Sequence, residues 1–181
     1  NGGNGAVAIF ANDDVTGTVG ADNVWTCDVK QYWIKDAIYN FAALVNATND
    51  VTLVDLLPSK VNGFTADGAT DLLYARSEEN IIGQASGNDL VDFTFDHLLS
   101  KVKFTVENTS VAAEEYSFKV NNIVISGYKT GNVTLATKAW DALSNSGNYT
   151  VAEITVDANE TAGTHKAECA QELLLIPGDF N

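Results

Sequence analysis

The stretch NDLVDFTFDHLLSKVKFTVEN, residues 88–108, constrains the fold of this chain more than any other. Val91, Phe93 and Phe95 alternate with polar neighbours, and Val102, Phe104 and Val106 do the same. Alternation with a period of two puts one face of a strand in a core and the other in water. Between the runs, His97 to Lys101 are too few for a stable helix and include no Gly or Pro for a tight turn. The stretch reads as two strands joined by a corner, at the centre of a β-sandwich.

The rest of the chain repeats the pattern. Ala6 to Ala11 predicts a first short strand and Asn12 to Asn23 a polar loop. Trp25 to Trp33 alternates cleanly, and Tyr39 to Val45 predicts the next strand. Thr52 to Leu57 and the segment to Gly68 fit no clear period; the expectation there is a short helix and a loop ended by Pro58. Asp71 to Ala75 reads as a buried strand, and Ile81 to Gly87 as a connection. Tyr116, Phe118 and Val120 alternate, then Ile123 and Ile125 resume with opposite parity after Asn121-Asn122, which predicts a β-bulge or a strand break. Gly127 to Gly131 reads as a turn, Val133 and Leu135 as a short strand, and Trp140 to Asn148 as a polar loop. Tyr149 to Val156 and Ala167 to Ile176 complete the set, with Pro177-Gly178 as the stop. Nine or ten strands with turn signals between them predict an all-β, two-sheet sandwich. With no repeat or low-complexity linker, residues 1–181 are expected to form one domain.

Composition removes several classes of function. The net charge is −14 and Arg76 is the one arginine, so nucleic acid is not an expected partner. The charge reads as surface solvation. No run approaches the roughly 20 apolar residues of a membrane-spanning helix. The chain opens at Asn1-Gly2-Gly3-Asn4-Gly5 and contains no methionine, so the expectation is a processed or trimmed product whose targeting segment lies upstream.

A search for chemistry finds no catalytic constellation. His97 sits at the strand corner, where packing or capping explains it, and His165 in a polar loop, where it is expected to be solvated. GQASG at residues 83–87 is not a nucleophile elbow, because its serine stands one place late. No metal-ligand spacing and no cofactor motif occurs, so neither an enzyme nor a cofactor is expected. Cys27 and Cys169 leave two readings open: a disulfide joining early and late strands in an oxidising compartment, or two inert buried thiols. Asn46, Asn108, Asn132, Asn148 and Asn159 each begin an Asn-x-Ser/Thr triplet, which a chain rich in Asn and Thr produces by chance.

Phe95-Asp96-His97-Leu98-Leu99-Ser100-Lys101-Val102-Lys103-Phe104 resembles the F-x-H-x-L-S-K-V-x-F signature of the fimbrillin-like family. These are the type V pilins, with their anchor and tip subunits, of Bacteroidales bacteria. Three further features follow the family pattern in order: Tyr32-Trp33 with Tyr39-Asn40-Phe41, the "DLLYA" strand Asp71-Leu72-Leu73-Tyr74-Ala75, and the "LLLIP" strand Leu173 to Pro177. The resemblance implies a transthyretin-like β-sandwich, the N-terminal domain of a subunit in which a second sandwich follows. It implies export as a lipoprotein precursor and display in an outer-membrane-attached fimbria. Asp71, Leu72, Tyr74, Phe95, His97, Leu99, Ser100, Lys101, Val102 and Phe104 would then be structural motif residues, with Phe93, Phe95, Val102 and Phe104 lining the sandwich. Partners would be other fimbrial subunits, joined by β-strand addition, with host proteins or glycans as adhesion targets. Family pilins are matured by an arginine-specific protease, and no arginine precedes Arg76. The alternative is a non-polymerising carbohydrate-binding or adhesin module with Trp140 as its platform, a residue that covering a sheet edge would explain as well.

Overall fold

The computed structural model describes residues 7, 17–19, 25–27, 31–47, 50–77, 80–83, 91–109, 116–158 and 165–178. The strand expected over Ala6 to Ala11, apart from exposed Val7, lies outside these residues, as do most of the connections at 84–90 and 159–164. Every regular element among the described residues is a strand, and the architecture is that of an all-β, sandwich-type protein.

A small antiparallel pair comes first, β1 (Gly17–Val19) with β2 (Trp25–Cys27). The loop expected over Asn12 to Asn23 therefore contains a strand. Next come β3 (Ile38–Tyr39), β4 (Ala42–Val45), β5 (Val51–Val54), β6 (Leu57–Thr65) and β7 (Leu73–Arg76). β8 (Ile81–Ile82), β9 (Asp96–His97), β10 (Ser100–Val102) and β11 (Thr105–Glu107) follow. The last six are β12 (Phe118–Val120), β13 (Val124–Thr134), β14 (Ala139–Thr150), β15 (Ile154–Val156), β16 (Lys166–Glu168) and β17 (Leu173–Leu175).

The largest sheet runs in the order β14-β13-β6-β5, all antiparallel. It overturns three sequence expectations. Gly127 to Gly131 is not a turn but the middle of β13, and Trp140 to Asn148 is not a loop but most of β14. The chain reverses instead at residues 135–138, where Leu135 is buried and Lys138 takes a left-handed φ of 56°. Gly131 marks an irregular register rather than a corner: a Cβ there would stand 2.8 Å from Leu143 Cδ2 and 3.2 Å from the Trp140 ring. β14 reads as polar because it is the outer strand of its sheet, with Ser144, Asn145, Ser146 and Asn148 exposed.

The third correction concerns residues 52–65, expected as a short helix and a loop but forming β5 and β6 joined by the two residues Asp55-Leu56. Both have positive φ, 50° and 68°, the geometry of a two-residue hairpin turn whose twist matches its strands. Pro58 is tolerated because its strand is paired there with Leu53 alone; β13 joins only from Lys60 onward.

Below Val124 the long hairpin breaks and resumes. β12 pairs with β15 (Phe118↔Val156 to Val120↔Ile154), and the Val151 N–H donates to the Ile123 carbonyl at 2.9 Å across the gap. Asn122, at φ 59°, makes the break, where the parity change at Asn121-Asn122 predicted one.

β10 with β17 and β11 with β16 are likewise two parts of one antiparallel ribbon, linked by Cys169 N–H to the Phe104 carbonyl at 2.8 Å. Its outward face carries the ion pairs Lys101–Glu172 (2.6 Å), Lys103–Glu168 (2.5 Å) and Lys166–Glu107 (3.3 Å). Exposed pairs of this kind add little stability, and the face reads as solvated.

Two apolar clusters fill the interior. One gathers Val61, Phe64, Leu72, Tyr74, Leu98, Leu99, Val133, Leu135 and Ile176; the other Tyr149, Val151, Ile154, Cys169, Leu173 and Leu175. Burying one such side chain contributes about 1.5–3 kcal/mol. Strand β17 lies between the clusters. Leu173 and Leu175 enter the second, while Leu174 and the following Ile176 pack on the first. A strand buried on both faces reads as an unbroken apolar run, which is why Leu173 to Ile176 does not alternate.

The link from β6 to β7 is held by a local turn. Asp67 Oδ1 accepts from the backbone N–H groups of Thr70 (2.7 Å) and Ala69 (2.8 Å), and Oδ2 from the Thr70 hydroxyl (2.7 Å). These bonds hold the Asp67 carboxyl down to about 2. Gly68, at φ 92°, bridges to Leu174 and lies against Tyr149, so the turn joins the ribbon to the large sheet.

Two stability changes are expected. Leu56→Gly removes the strain of a left-handed leucine that is 44% exposed, and should stabilise the fold by about 0.5–1 kcal/mol in urea titration. Asp67→Ala should destabilise by roughly 0.5–1 kcal/mol at neutral pH, since the carboxylate is exposed. Because the folded-state value lies below the unfolded one, this contribution is complete above about pH 4 and disappears toward about pH 2. The urea midpoints of parent and variant should converge across that window.

Candidate functional site

The structure brings the signature segments of the sequence together at one joint. β7, which holds Leu73 to Ala75 of the "DLLYA" segment, pairs with β9, Leu73 opposite His97 and Tyr74 opposite Asp96. β10, with Ser100, Lys101 and Val102, pairs with β17 at Leu175, Leu174 and Leu173. The corner expected between two strands lies where the chain leaves one sheet and enters the ribbon.

That corner is part of the core. Leu98 and Leu99 are both buried in the first cluster, beside Leu72, Leu135 and Ile176. The Leu98 N–H donates to the Leu72 carbonyl at 3.0 Å, and its own carbonyl accepts from Trp140 Nε1 at 2.9 Å. With both backbone groups of Leu98 satisfied and two leucines anchored, the corner forms without Gly or Pro. Periodicity does not reveal these two core residues, because consecutive buried leucines follow no strand period; Leu99 enters the sequence expectation only as a motif residue and Leu98 not at all.

The aromatic residues before the corner are placed differently from expectation. Residues 91–95 are not in a strand, Phe93 is half-buried, and Phe95 keeps 36% of its surface in solvent, tilted against Phe93. Val102 and Phe104 are half-buried against the second cluster, on the inner face of the ribbon.

His97 and Asp71 meet side chain to side chain, Nδ1 against Oδ2. The imidazole is 72% exposed and the carboxylate largely covered, with its second oxygen, Oδ1, buried and unpaired. The Asn46 amide donates to the Asp71 carbonyl at 2.7 Å, and Lys138 pairs with Asp96 at 2.8 Å. The arrangement clasps the approach to β7 onto β9. No nucleophile is positioned by it, and no group of three or more His, Cys, Asp or Glu that could hold a metal occurs among the described residues.

The other singled-out residues sit apart from this joint. Cys169 is a free thiol buried in the second cluster; the side chain of Cys27 lies outside the described residues. His165 is half-buried, not solvated as expected, and its Nδ1 is buried without a partner. Trp140 is half-buried, packed edge-on against Phe64 at 5.9 Å, with its N–H spent on Leu98, which removes it as an exposed sugar platform. Trp33, Tyr39 and Phe41 form an edge-to-face and stacked group beside β3.

A pair of truncations separates the corner from the aromatics that precede it. Leu98→Ala should cost about 2–5 kcal/mol, as for other buried leucines. Phe95→Ala should cost less than about 1 kcal/mol, given its exposure. Chemical denaturation of the two variants checks the contrast.

Comparison with known proteins agrees with the joint. No curated protein and no solved structure matches the chain. The model of one protein family, described as fimbrillin-like, matches residues 2–181. That family is structural and adhesive, made up of surface-exposed fimbrial subunits that assemble with one another. With a match across nearly its whole length and the signature segments meeting in one place, the chain belongs to the fimbrillin-like family.

Proposed function

We propose that this chain is a structural or adhesive subunit of a bacterial surface fimbria, assembling by donor-strand exchange. The observation that carries the reading is the fimbrillin-like match over residues 2–181. In this reading residues 1–181 are one transthyretin-like sandwich, the N-terminal domain of the full-length subunit. The precursor is exported as a lipoprotein and the fimbria is attached to the outer membrane.

The sheet layout suits such a role. The described sheets are narrow, with two to four strands each. β5 and β14 end the largest sheet, and β4 and β9 end the three-stranded one. Narrow sheets depend on neighbours for stability, and a strand edge without a partner can bind an extended segment through its backbone. A segment from the next subunit would supply both the hydrogen bonds and the apolar side chains.

The test is to mix the purified chain with extended peptides drawn from the terminal segments of candidate partner subunits. Expected results are a rise of several degrees in melting temperature with a saturating donor, and polymers in electron micrographs when donor and acceptor share one chain. A chain that stays monomeric, with no thermal shift for any donor and with or without proteolysis, removes the polymerising reading.

A further inference from the structure

Asn62 is followed by Gly63 in the middle of β6, the strand that lies between β13 and β5. Val61 pairs with Val133 and Phe64 with Gly131, so Asn62 and Gly63 together oppose the single residue Asn132. That is a β-bulge, and Gly63 takes a left-handed φ of 65° within it. A Cβ built at Gly63 would meet nothing within 4 Å. Backbone conformation, not space, therefore calls for glycine.

The same choice makes the position chemically reactive. In an Asn-Gly pair the glycine nitrogen can attack the preceding side-chain amide with no side chain of its own in the way. The Gly63 N–H loses its proton to water, a bond forms from its nitrogen to Asn62 Cγ, and ammonia leaves. Water then opens the succinimide at either carbonyl, leaving aspartate or isoaspartate, and nothing is oxidised or reduced. Isoaspartate adds one carbon to the backbone between Val61 and Phe64, both buried in the first cluster.

The sheet holds each group this reaction needs. The Gly63 N–H donates to Asn132 Oδ1 at 2.8 Å, the Asn62 N–H to the Asp50 carbonyl at 2.8 Å, and Asn62 Nδ2 to Thr52 Oγ1 at 2.9 Å. Asn132 is oriented in turn. Its side-chain amide bonds to the Asp141 carboxylate, which also accepts from Lys60 Nζ at 2.9 and 3.1 Å. With the amide N–H groups given to Asp141, Oδ1 is left to face Gly63. Turning the Gly63 nitrogen onto Asn62 Cγ breaks its bond to Asn132. We propose that Asn62 is a site of hydrolytic deamidation held shut by the bulge, with Asn132 as the positioning residue that locks it. The inference concerns one inner strand, needs no partner, and stands apart from the fimbrial reading.

Peptide mapping by mass spectrometry, during incubation of the full chain at mildly alkaline pH, tests the lock. Asn62 should stay unconverted in the folded parent and convert readily in the parent held in urea. Asn132→Leu should speed conversion in the folded chain about fivefold or more, as loss of one hydrogen bond allows. Val133→Ala lowers stability without removing the acceptor, and should leave the rate near that of the parent. The double variant Asn132→Asp with Asp141→Asn exchanges amide and carboxylate, keeps an oxygen for the Gly63 N–H, and should restore the slow rate. Hydrogen exchange at the Gly63 amide should follow the same order. Thr52→Val frees Asn62 Nδ2 without touching the bulge and should also speed conversion, which carries the test if Asn132→Leu does not fold.

A chain that stays unconverted in urea overturns the site. A folded parent that converts as fast as the unfolded chain overturns the lock, and so does Asn132→Leu converting no faster than the parent. Val133→Ala converting as fast as Asn132→Leu, or a double variant that fails to slow the reaction, removes Asn132 as the positioning residue.

Discussion

The interior depends on one strand being bonded in place with both faces dry. Leu173 to Leu175 cannot be left as free chain between two apolar clusters, because unpaired backbone groups there would be buried without water. Pairing with Ser100 to Val102 satisfies one edge, and the Leu174 N–H donating to the Gly68 carbonyl at 2.9 Å adds a bond on the other. Only then can successive leucines serve opposite clusters. The turn at Asp67 to Thr70 matters for the same reason. It holds Gly68 where a side chain would crowd Tyr149 Cδ1 at 3.1 Å.

From that strand the constraint passes to the corner. β10 can reach β17 only if the chain turns sharply after β9, and the turn is fixed from several sides. Leu98 and Leu99 are anchored in the first cluster, the Leu98 backbone is bonded to Leu72 and Trp140, and the flanking Asp96 and His97 hold Lys138 and Asp71. The polar contacts are exposed and individually weak, whereas each buried leucine is worth several times as much. The leucines therefore set the position of the corner, and the polar pairs select its orientation. The placement of such a segment requires no chemistry at the histidine; geometry alone is enough.

How much was legible follows from which physical signal each residue carries. The strand expected over Asp71 to Ala75 and found at Leu73–Arg76, the last strand at Leu173–Leu175 and the break at Asn121-Asn122 all announce themselves through apolar runs or a parity change. β14 does not, since an outer strand with Ser144, Asn145, Ser146 and Asn148 in solvent has the composition of a loop. β6 was hidden by Pro58 and by a turn made with leucine in place of glycine. Phe95 misled in the opposite sense, because alternation reports which residues could share a face but not whether any partner covers that face. The joint itself could not be read from spacing: Asp71 and His97 are 26 residues apart, and only the register of β7 with β9 brings them together.

The same distinction explains why the interior says little about the role of the chain and the surface says more. Trp140 and Tyr149 are packed against the two apolar clusters with their polar atoms bonded to the Leu98 and Tyr128 carbonyls, and the described interior is lined by aliphatic and aromatic side chains rather than by reactive groups. What lies outside is different: strands that end their sheets among the described residues, an exposed apolar hairpin tip, and a cross-strand pair of isoleucines in water. Apolar surface of this kind is unfavourable for a chain that acts alone, and charge at −14 resists its indiscriminate clustering. A protein that keeps apolar side chains exposed on narrow sheets is suited to assembly, with repulsion between like-charged surfaces limiting which assemblies can form.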